Sequence, residues 1–449
     1  MRLLIVFLVL IGLATQTAAA QEEACPAAVQ AVLAEAASVC SGVEASQGCL
    51  AHAPAEVVPL GEVPLVFAEP GDEISLESLY SLHLGGLVPD TGEWGVAMLR
   101  VPTDAAGRDA VLVLSGDADL RNSCSALMQQ EVHIMLETEF RSGPGSNYPS
   151  LGMLPVGTTV LVNACNCTGN WLRAIGPDEQ VGWVWSGSIN ELNDPDALPV
   201  VRRDTPVYGP MQAFCFRSAL TEPPCVGAPE NGLLIQAPPG TEPAHLRINQ
   251  IDLGLSSTVF IQSQPGYTFN LEVLDGLASV TLDEFTLNAP RGVRVVVPLT
   301  ADNTPAGPAI LEWIEPADVA AVPIALLPIP VDVSASVPDP MPIIAGVEPC
   351  HVAPDQGPAP CRVHFLNADA DPIQSLEAAF VDAPVGEWSD SAHTSPVVLE
   401  GDPTAGVLAW DAICSIGSAN FIGSVTWQLT LVDAQGHRSA PVEASFNCG

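Results

Sequence analysis

The sequence has 449 residues with 14 basic and 52 acidic side chains, which gives a formal net charge of −38 at pH 7. So negative a field disfavours nucleic acid and anionic lipid surfaces as partners, because binding to them depends on cations that neutralise phosphate. All 14 basic residues are arginine. Schiff-base, pyridoxal and phosphate-loop chemistries, which need a lysine ammonium, are therefore excluded.

The first residues have the composition of an export signal. Arg2 precedes the apolar run Leu3–Leu13, and a row of small residues ends at Ala20. This order predicts a cleaved secretory signal over residues 1–20, and so a secreted protein of the extracellular space or cell surface. The best other apolar stretch, Val319–Ile329, is interrupted by prolines and is shorter than the ~20 residues that cross a bilayer, so we expect no membrane span.

Twelve cysteines, an even number, predict disulfide bonds in an exported chain. The candidates are Cys25, Cys40, Cys49 and Cys124; Cys165 and Cys167; Cys215 and Cys225; and Cys350, Cys361, Cys414 and Cys448. We expect Cys215 and Cys225 to pair locally, whereas spacing does not choose among the three connectivities of each group of four. Cys165 and Cys167 are too close in sequence to bridge each other easily.

The length allows about three or four domains. The first, residues 24–132, is predicted to be an α+β domain. Apolar residues recur at helical spacing from Pro26 to Cys40, which predicts an amphipathic helix. Two apolar strands, Gly95–Val101 and Ala110–Ser115, flank a turn-rich segment and predict a hairpin.

Residues 133–193 combine tight turns with short alternating strands. The turn RSGPGSNYP, Arg141–Pro149, is followed by the strand Leu151–Leu154, then by Trp171–Ile175 and by the Gly-Trp-Val of Val181–Trp185. This order resembles the bacterial SH3-like (SH3b) module of secreted and cell-envelope proteins. The resemblance implies a small barrel that binds a cell-wall peptide or glycan and rarely catalyses.

Four residues of this module are the candidate ligand-binding residues: Asn147, Tyr148, Trp171 and Trp183. An aromatic-lined groove offers flat apolar faces with polar edges, which suit peptides or sugars. Trp185 is a further aromatic candidate. The alternative is that Trp171 and Trp183 belong to the core of the barrel.

The rest of the chain is predicted to be β units joined by proline-rich segments. Residues 194–228 form a connector with a cysteine pair, and residues 229–300 alternate as an all-β domain that resembles FecR-type periplasmic domains. The proline density of residues 301–343 predicts a semi-rigid linker that holds the last domain away. Residues 344–449 carry six or seven short strands and resemble an immunoglobulin-like sandwich.

Two clusters have side chains that metals bind: Cys350, His351, Cys361 and His364 in one, and Asn367, Asp369 and Asp371 in the other. For the first, disulfides are favoured over zinc in an exported chain. For the second, Pro372 stands where a calcium-binding EF-hand loop needs glycine, so a solvated loop is favoured. No metal and no cofactor are expected.

The G-x-S-x-G and H-E-x-x-H patterns of hydrolases are absent, so the sequence predicts no enzyme. The fold class expected is mainly β and multidomain. The expected function is that of a secreted cell-envelope or surface binding protein whose SH3b-like module recognises a cell-wall peptide or glycan. The alternative is a structural or scaffolding protein that binds other exported proteins through its β domains.

Overall fold

The computed structural model describes residues 31, 35–36, 38–60, 64–88, 90–103, 108–122, 129–166, 170–190, 192, 198, 201, 207–220, 228–238, 240, 242–282, 285–315, 317–333, 342–349, 351–352, 359–368, 371–382, 392–396, 398–402, 404–412, 415–416, 419–420 and 423–448. The structure describes the backbone alone for residues 351–352, 359–360, 380, 382, 392–396, 398–402, 411–412, 415–416, 419–420, 423 and 447–448.

The described residues are mainly β. Residues 31, 35–36 and 38–39, which lie in the predicted helix, are helical. The described short 3-10 helices are Leu76–Ser78, Ser186–Ser188 and Ile324–Leu326. No described helix is long and apolar enough to cross a membrane.

Strands are numbered in chain order. The first are β1 Gln47–His52, β2 Ala55–Pro59, β3 Glu73–Ser75, β4 Leu79–Leu84, β5 Val96–Pro102, β6 Asp109–Ser115 and β7 Ala118–Asn122. Next come β8 Gln130–His133, β9 Thr138–Arg141, β10 Ser150–Leu154, β11 Thr159–Cys165, β12 Trp171–Ile175 and β13 Val181–Trp185. They are followed by β14 Ala213–Ser218, β15 Gly232–Gln236, β16 Ala244–Ile248, β17 Ile251–Ser263, β18 Thr268–Leu282, β19 Phe285–Pro290, β20 Val293–Pro298 and β21 Ile310–Trp313. The last are β22 Ile343–Val347, β23 His351–Val352, β24 Ala359–Leu366, β25 Ile373–Asp382, β26 Ala392–Pro396, β27 Val398–Asp402, β28 Ala405–Ala412, β29 Ser415–Ile416, β30 Ala419–Asn420, β31 Gly423–Asp433 and β32 Val442–Cys448.

The largest sheet in the described part of the chain has 15 strands. Its main path runs in the order β2-β4-β7-β14-β16-β17-β15-β6-β5-β1-β3. Strand β18 pairs with β17 and also with β19 and β20, and β21 forms an edge beside β20. The pairing of the long strands β17 and β18 joins the main path of this sheet to the strands β19, β20 and β21.

Residues 24–132 and 229–300 were predicted to be separate domains, but both contribute strands to this one sheet. Strand β6 pairs with β15, with Leu114 opposite Leu233, and β7 pairs with β14, with Leu120 opposite Phe216. The connector segment 194–228 likewise contributes β14. Alternation of apolar residues identifies a strand but not its partner, because pairing depends on contacts distant along the chain.

The two faces of the large sheet bury different cores. Along β6, Leu112 and Leu114 belong to one apolar cluster and Val113 to another. Strand β15 repeats the pattern, with Leu233 in the first cluster and Leu234 in the second. Successive side chains of a strand point to opposite faces, so the central strands are covered on both sides.

The second core is covered by a segment that the proline density had predicted to be a spacer. In residues 315–333 the buried apolar side chains that pack into this core are Val319, Val322, Leu326 and Leu327. The side chain of Gln236 holds the segment, donating to the carbonyl of Ile329 at 2.9 Å and accepting from its amide at 3.0 Å. We call residues 315–333 the strap. The prediction of a semi-rigid linker was wrong here because apolar residues between the prolines bury against the sheet.

Residues 130–189 form a separate six-stranded sheet in the order β10-β9-β13-β12-β11-β8. The predicted strands Trp171–Ile175 and Val181–Trp185 are present with the same bounds. The inner face has its own apolar core, which includes Phe140, Leu172 and Val184. We call this unit the module; it leaves the large sheet after β7 and returns to it at β14.

Residues 343–448 form two main sheets, β22-β24-β28-β27 and β23-β32-β31-β25-β26, besides the short pair β29-β30. Both main sheets contribute to one apolar core. At its centre Trp410 packs edge to face against Trp427, with ring centroids 6.1 Å apart, and against Phe446 at 5.8 Å.

This two-sheet unit packs against the large sheet and is not held away from it. The ring of Phe285, in β19, lies 4.8 Å from the ring of His364, in β24. The indole nitrogen of Trp313, in β21, donates to the carbonyl of Thr404 at 3.1 Å. Gly346 approaches β19 so closely that a β-carbon there would lie 2.7 Å from the carbonyl oxygen of Thr286.

The cysteine predictions have mixed outcomes. Cys40 and Cys49 form a disulfide, and Cys361 is disulfide-bonded. The predicted local pair of Cys215 and Cys225 is not formed, because Cys215 on β14 carries an unpaired thiol that contacts Arg121. The cysteines outside the described residues are Cys25, Cys124, Cys167, Cys225, Cys350 and Cys414. The backbone of Cys448 lies in β32.

Candidate functional site

The four predicted ligand-binding residues lie on the module but do not form one groove. Trp183 is 2% exposed and packs with Ala164 and Val201, which agrees with the alternative that it is a core residue and not a ligand-binding one. Trp171 packs against the same cluster and is half-buried. Directly opposite Trp171, on the neighbouring strand, Trp185 keeps 48% of its surface exposed.

Asn147 and Tyr148 lie at the other end of the same face. Strand β13 runs antiparallel to β9, with Trp183 opposite Arg141, so the turn after Arg141 extends away from Trp185. Several residues of strand, at ~3.4 Å each, separate the two ends. The ring of Tyr148 covers Gly143, where a β-carbon would lie 2.6 Å from it, and Asn147 is exposed.

A buried polar group explains why the middle of this face is closed. Arg173 lies opposite Trp183 and donates to the side-chain oxygen of Asn163 at 2.9 Å. Burial lowers the pKa of Arg173 to about 10, partly offset by the nearby Tyr208. Tyr208 donates to Asp252, in β17, at 2.7 Å, and burial raises the pKa of its phenol. Tyr208 thus lies between the central outer face of the module, where it acts electrostatically on Arg173, and Asp252 of the large sheet.

A second candidate site lies on the outer face of β4, β7 and β14. Two rows of cross-strand neighbours lie there, one of Ser81, Arg121 and Cys215 and the other of His83, Asp119 and Arg217. The residues between them, such as Leu82, Leu120 and Phe216, point inward to the core. A cavity of about 360 Å³ covers much of this polar face and also contacts Pro265 and residues 301–303.

The side chains of this cavity do not form a nucleophile-and-base pair. The thiol of Cys215 accepts a hydrogen bond from Arg121 at 3.7 Å, and this contact raises the pKa of Arg121. His83 bonds instead to Asp119, with its Nδ1 3.0 Å from Oδ1. His83 is two strands and one row away from Cys215, roughly 12 Å by strand spacing and rise, whereas general-base activation needs hydrogen-bond contact.

Two sequence clusters contain side chains that metals bind, and in the first the described residues agree with the favoured disulfide interpretation rather than with zinc. Cys361 is disulfide-bonded, and Nε2 of His364 donates a hydrogen bond to Glu348 Oε1 at 2.8 Å, while the His364 ring lies against Phe285. Burial lowers the pKa of His364. Cys350 and Asp369 lie outside the described residues.

The most strongly perturbed carboxyl among the described residues lies under the strap. Glu272, Arg294 and Glu312 are cross-strand neighbours on β18, β20 and β21. Arg294 lies 2.6 Å from Glu272 and 3.0 Å from Asp318 of the strap. Burial raises the pKa of Glu272 to about 7, against the opposing effect of Arg294. Perturbed groups mark functional sites when they line a cleft. Glu272 is covered instead, and its partner Arg294 is the residue that pairs with Asp318 of the strap.

The raised pKa makes the stability of the fold depend on pH. A carboxyl with a folded-state pKa above its unfolded value of 4.5 stabilises the fold below that value and loses the contribution as pH rises through about 7. We expect Glu272 to reduce the free energy of unfolding by about 2–3 kcal/mol between pH 4.5 and 8. Urea unfolding of the wild type and of Glu272→Gln across this pH range measures the loss of unfolding free energy that is due to Glu272. If the unfolding free energies of the two proteins depend on pH in the same way, Glu272 does not cause the loss.

No protein-family model matches this chain, and no curated protein matches it. A solved structure that is similar in part is the native conformation of E. coli alpha-2-macroglobulin, determined by cryo-EM single-particle reconstruction. The identity is 12%, the match covers 90% of this chain and 31% of that chain, and the TM-score is 0.19. A TM-score this low does not show a common fold.

Proposed function

We propose that this chain is an exported, non-enzymatic binding protein whose SH3-like module recognises a cell-wall peptide or glycan. The observation that supports the proposal is the tryptophan pair on the outer face of the module. Trp171 and Trp185 face the same side on adjacent strands, and about half of Trp185 is open to solvent. We call this pair the tryptophan platform.

The backbone around the platform is fixed before any ligand arrives. The amide of Trp171 donates to the side-chain oxygen of Asn166 at 3.1 Å, and the amide of Ser186 donates to the carbonyl of Asn170 at 3.0 Å. Gly187 lies under the Trp185 ring, where a β-carbon would lie 2.5 Å from it. A rigid aromatic ring bordered by polar groups suits stacking against a sugar or a peptide, because little conformational entropy is lost on binding.

Substitution of Trp185 tests this function. We expect Trp185→Ala to weaken binding of the full chain to purified peptidoglycan by about tenfold or more, because a central aromatic contact supplies this much affinity. Sedimentation with peptidoglycan over a protein concentration series measures the change.

Tyr267→Ala is the matched control, since Tyr267 is a 66% exposed aromatic on the large sheet; we expect it to bind as the wild type does. Tyr148→Ala examines the other end of the module face. Loss of binding in Tyr148→Ala, together with wild-type binding in Trp185→Ala, would place the ligand at Asn147 and Tyr148 and contradict the platform. Failure of the wild type to sediment would contradict the proposed function itself.

One observation favours the alternative function, a scaffold for other exported proteins. Strand β10 is one of the two edges of the module sheet in the described part of the chain, and its exposed side chains include Leu151 and Met153. Residues 150–159 carry no charge in a chain of net charge −38. Edge strands with apolar side chains and no charge are able to pair with another chain. Cross-linking of the full chain in an exported-protein extract, compared with Met153→Lys, separates this function from glycan binding.

A further inference from the structure

We propose that His83, Asp117 and Asp119 bind one divalent transition-metal ion at the rim of the cavity on the large sheet. This site is independent of the module and goes beyond the proposed function. One imidazole nitrogen and two carboxylate oxygens converge there, with all three ligand atoms within 4.8 Å of one another. Imidazole together with carboxylate is a ligand set suited to Zn²⁺ and related ions.

The ligand atoms already have nearly the spacing that one ion needs. Metal–nitrogen and metal–oxygen bonds of about 2.0–2.2 Å place the ligand atoms of one ion roughly 3–4 Å apart. His83 Nδ1 and Asp119 Oδ1 are 3.0 Å apart. Without metal this contact holds a proton; with metal, the ion replaces the proton between the same two atoms.

The backbone under the three ligands is rigid. His83 and Asp119 are direct partners on the paired strands β4 and β7. Asp117 precedes β7 by one residue and projects to the same side as Asp119. Its amide donates to the side-chain oxygen of Asn231 at 3.0 Å, and its carbonyl accepts from the amide of Ala219 at 3.0 Å.

Arg217 orients the central ligand. Its Nε bonds to Asp119 Oδ2, the oxygen that does not face His83, so that Oδ1 is left for the metal. A hydrogen bond from outside the ligand set that fixes a ligating carboxylate is a regular part of metal sites. The guanidinium charge opposes the cation, but two carboxylates outweigh it locally. Because 42% of the His83 side chain is exposed, water has room to complete the coordination shell.

Calorimetric titration of the full chain with Zn²⁺ tests the site. We expect a micromolar site that is weakened more than about tenfold in His83→Gln and in Asp117→Asn, since each removes one of three ligands. The spectrum of the Co²⁺-loaded protein is the second measurement, and its d–d bands should change in both variants. Asp117 is an exposed turn residue, so Asp117→Asn keeps the test informative if His83→Gln folds poorly.

His245→Ala is the matched control, because His245 is another exposed histidine on a strand of the same sheet. We expect it to bind Zn²⁺ as the wild type does. Cys215→Ser examines the other soft ligand of the cavity and should leave the affinity unchanged. Unchanged Zn²⁺ affinity in both His83→Gln and Asp117→Asn, or loss of the site in Cys215→Ser or His245→Ala, would overturn the proposal.

Discussion

Arg294→Met is expected to reduce the free energy of unfolding by about 3–5 kcal/mol at pH 8, since it leaves a buried carboxylate without its partner. Glu272 has a side chain that is 5% exposed, and its Oε2 has no hydrogen-bond partner among the described residues even with Arg294 present. The same substitution also removes the ion pair with Asp318, which is one of the contacts that hold the strap. Chemical unfolding followed by circular dichroism measures the loss.

The expected loss is smaller at pH 5. There Glu272, with a pKa of about 7, takes up a proton and no longer carries the charge that Arg294 balances. Arg438→Met is the matched control, because Arg438 forms a pair with Glu377 at the surface, and solvent-exposed ion pairs contribute little to stability. An equal loss from Arg294→Met at both pH values would show that the guanidinium acts through packing alone.

Trp410→Ala is expected to cost about 3–5 kcal/mol in the two-sheet unit, the usual range for removing a buried aromatic side chain. The indole lies between the two sheets, against Trp427 and Phe446. Its removal leaves a cavity and ends two edge-to-face contacts of about 0.5–1.5 kcal/mol each. Thermal unfolding of the full chain, followed by near-ultraviolet circular dichroism, measures the effect.

Trp410→Phe keeps a ring in the same place, so we expect it to lose less than half as much. Trp185→Ala removes the same side chain from a half-exposed position and should cost little stability. If Trp410→Ala and Trp185→Ala destabilise the protein equally, the cavity explanation is wrong.

Sequence patterns predicted the local structure of the module well. Strands Trp171–Ile175 and Val181–Trp185 were found with their bounds, because period-two alternation and glycine turns are encoded within a few residues. The mainly β class followed for the same reason. The strands β4, β7 and β14 were missed, although Leu82-His83-Leu84 and Phe214-Cys215-Phe216 show the same alternation.

Long-range pairing was not predictable from these patterns. The large sheet joins Ala118–Asn122 to Ala213–Ser218 across the whole module, and no local residue preference encodes that partner. The strap was misjudged for a different reason. Proline frequency describes backbone stiffness, whereas the position of residues 315–333 is decided by the apolar side chains between the prolines and by Asp318.

The metal-binding candidate could not be predicted from the sequence either, because its residues are brought together by long-range strand pairing. His83 and Asp119 are 36 residues apart in the chain and meet because β4 and β7 pair. The sequence indicated that the aromatic residues lie on the module, but it did not show which of them are covered by other residues. Trp183 was one of the residues expected to bind ligand, and only the packing of Val201 and Arg173 shows why it is closed.

The chain leaves the large sheet for the module and returns to it at neighbouring positions on two paired strands. Asn122 and Phe214 are register partners on β7 and β14, so the two ends of the 91-residue interval between them lie about 5 Å apart. A short hairpin connection spans that gap. The module is therefore an insertion between two neighbouring strands of the large sheet, and a change in its length or sequence leaves the strand order of that sheet unaltered.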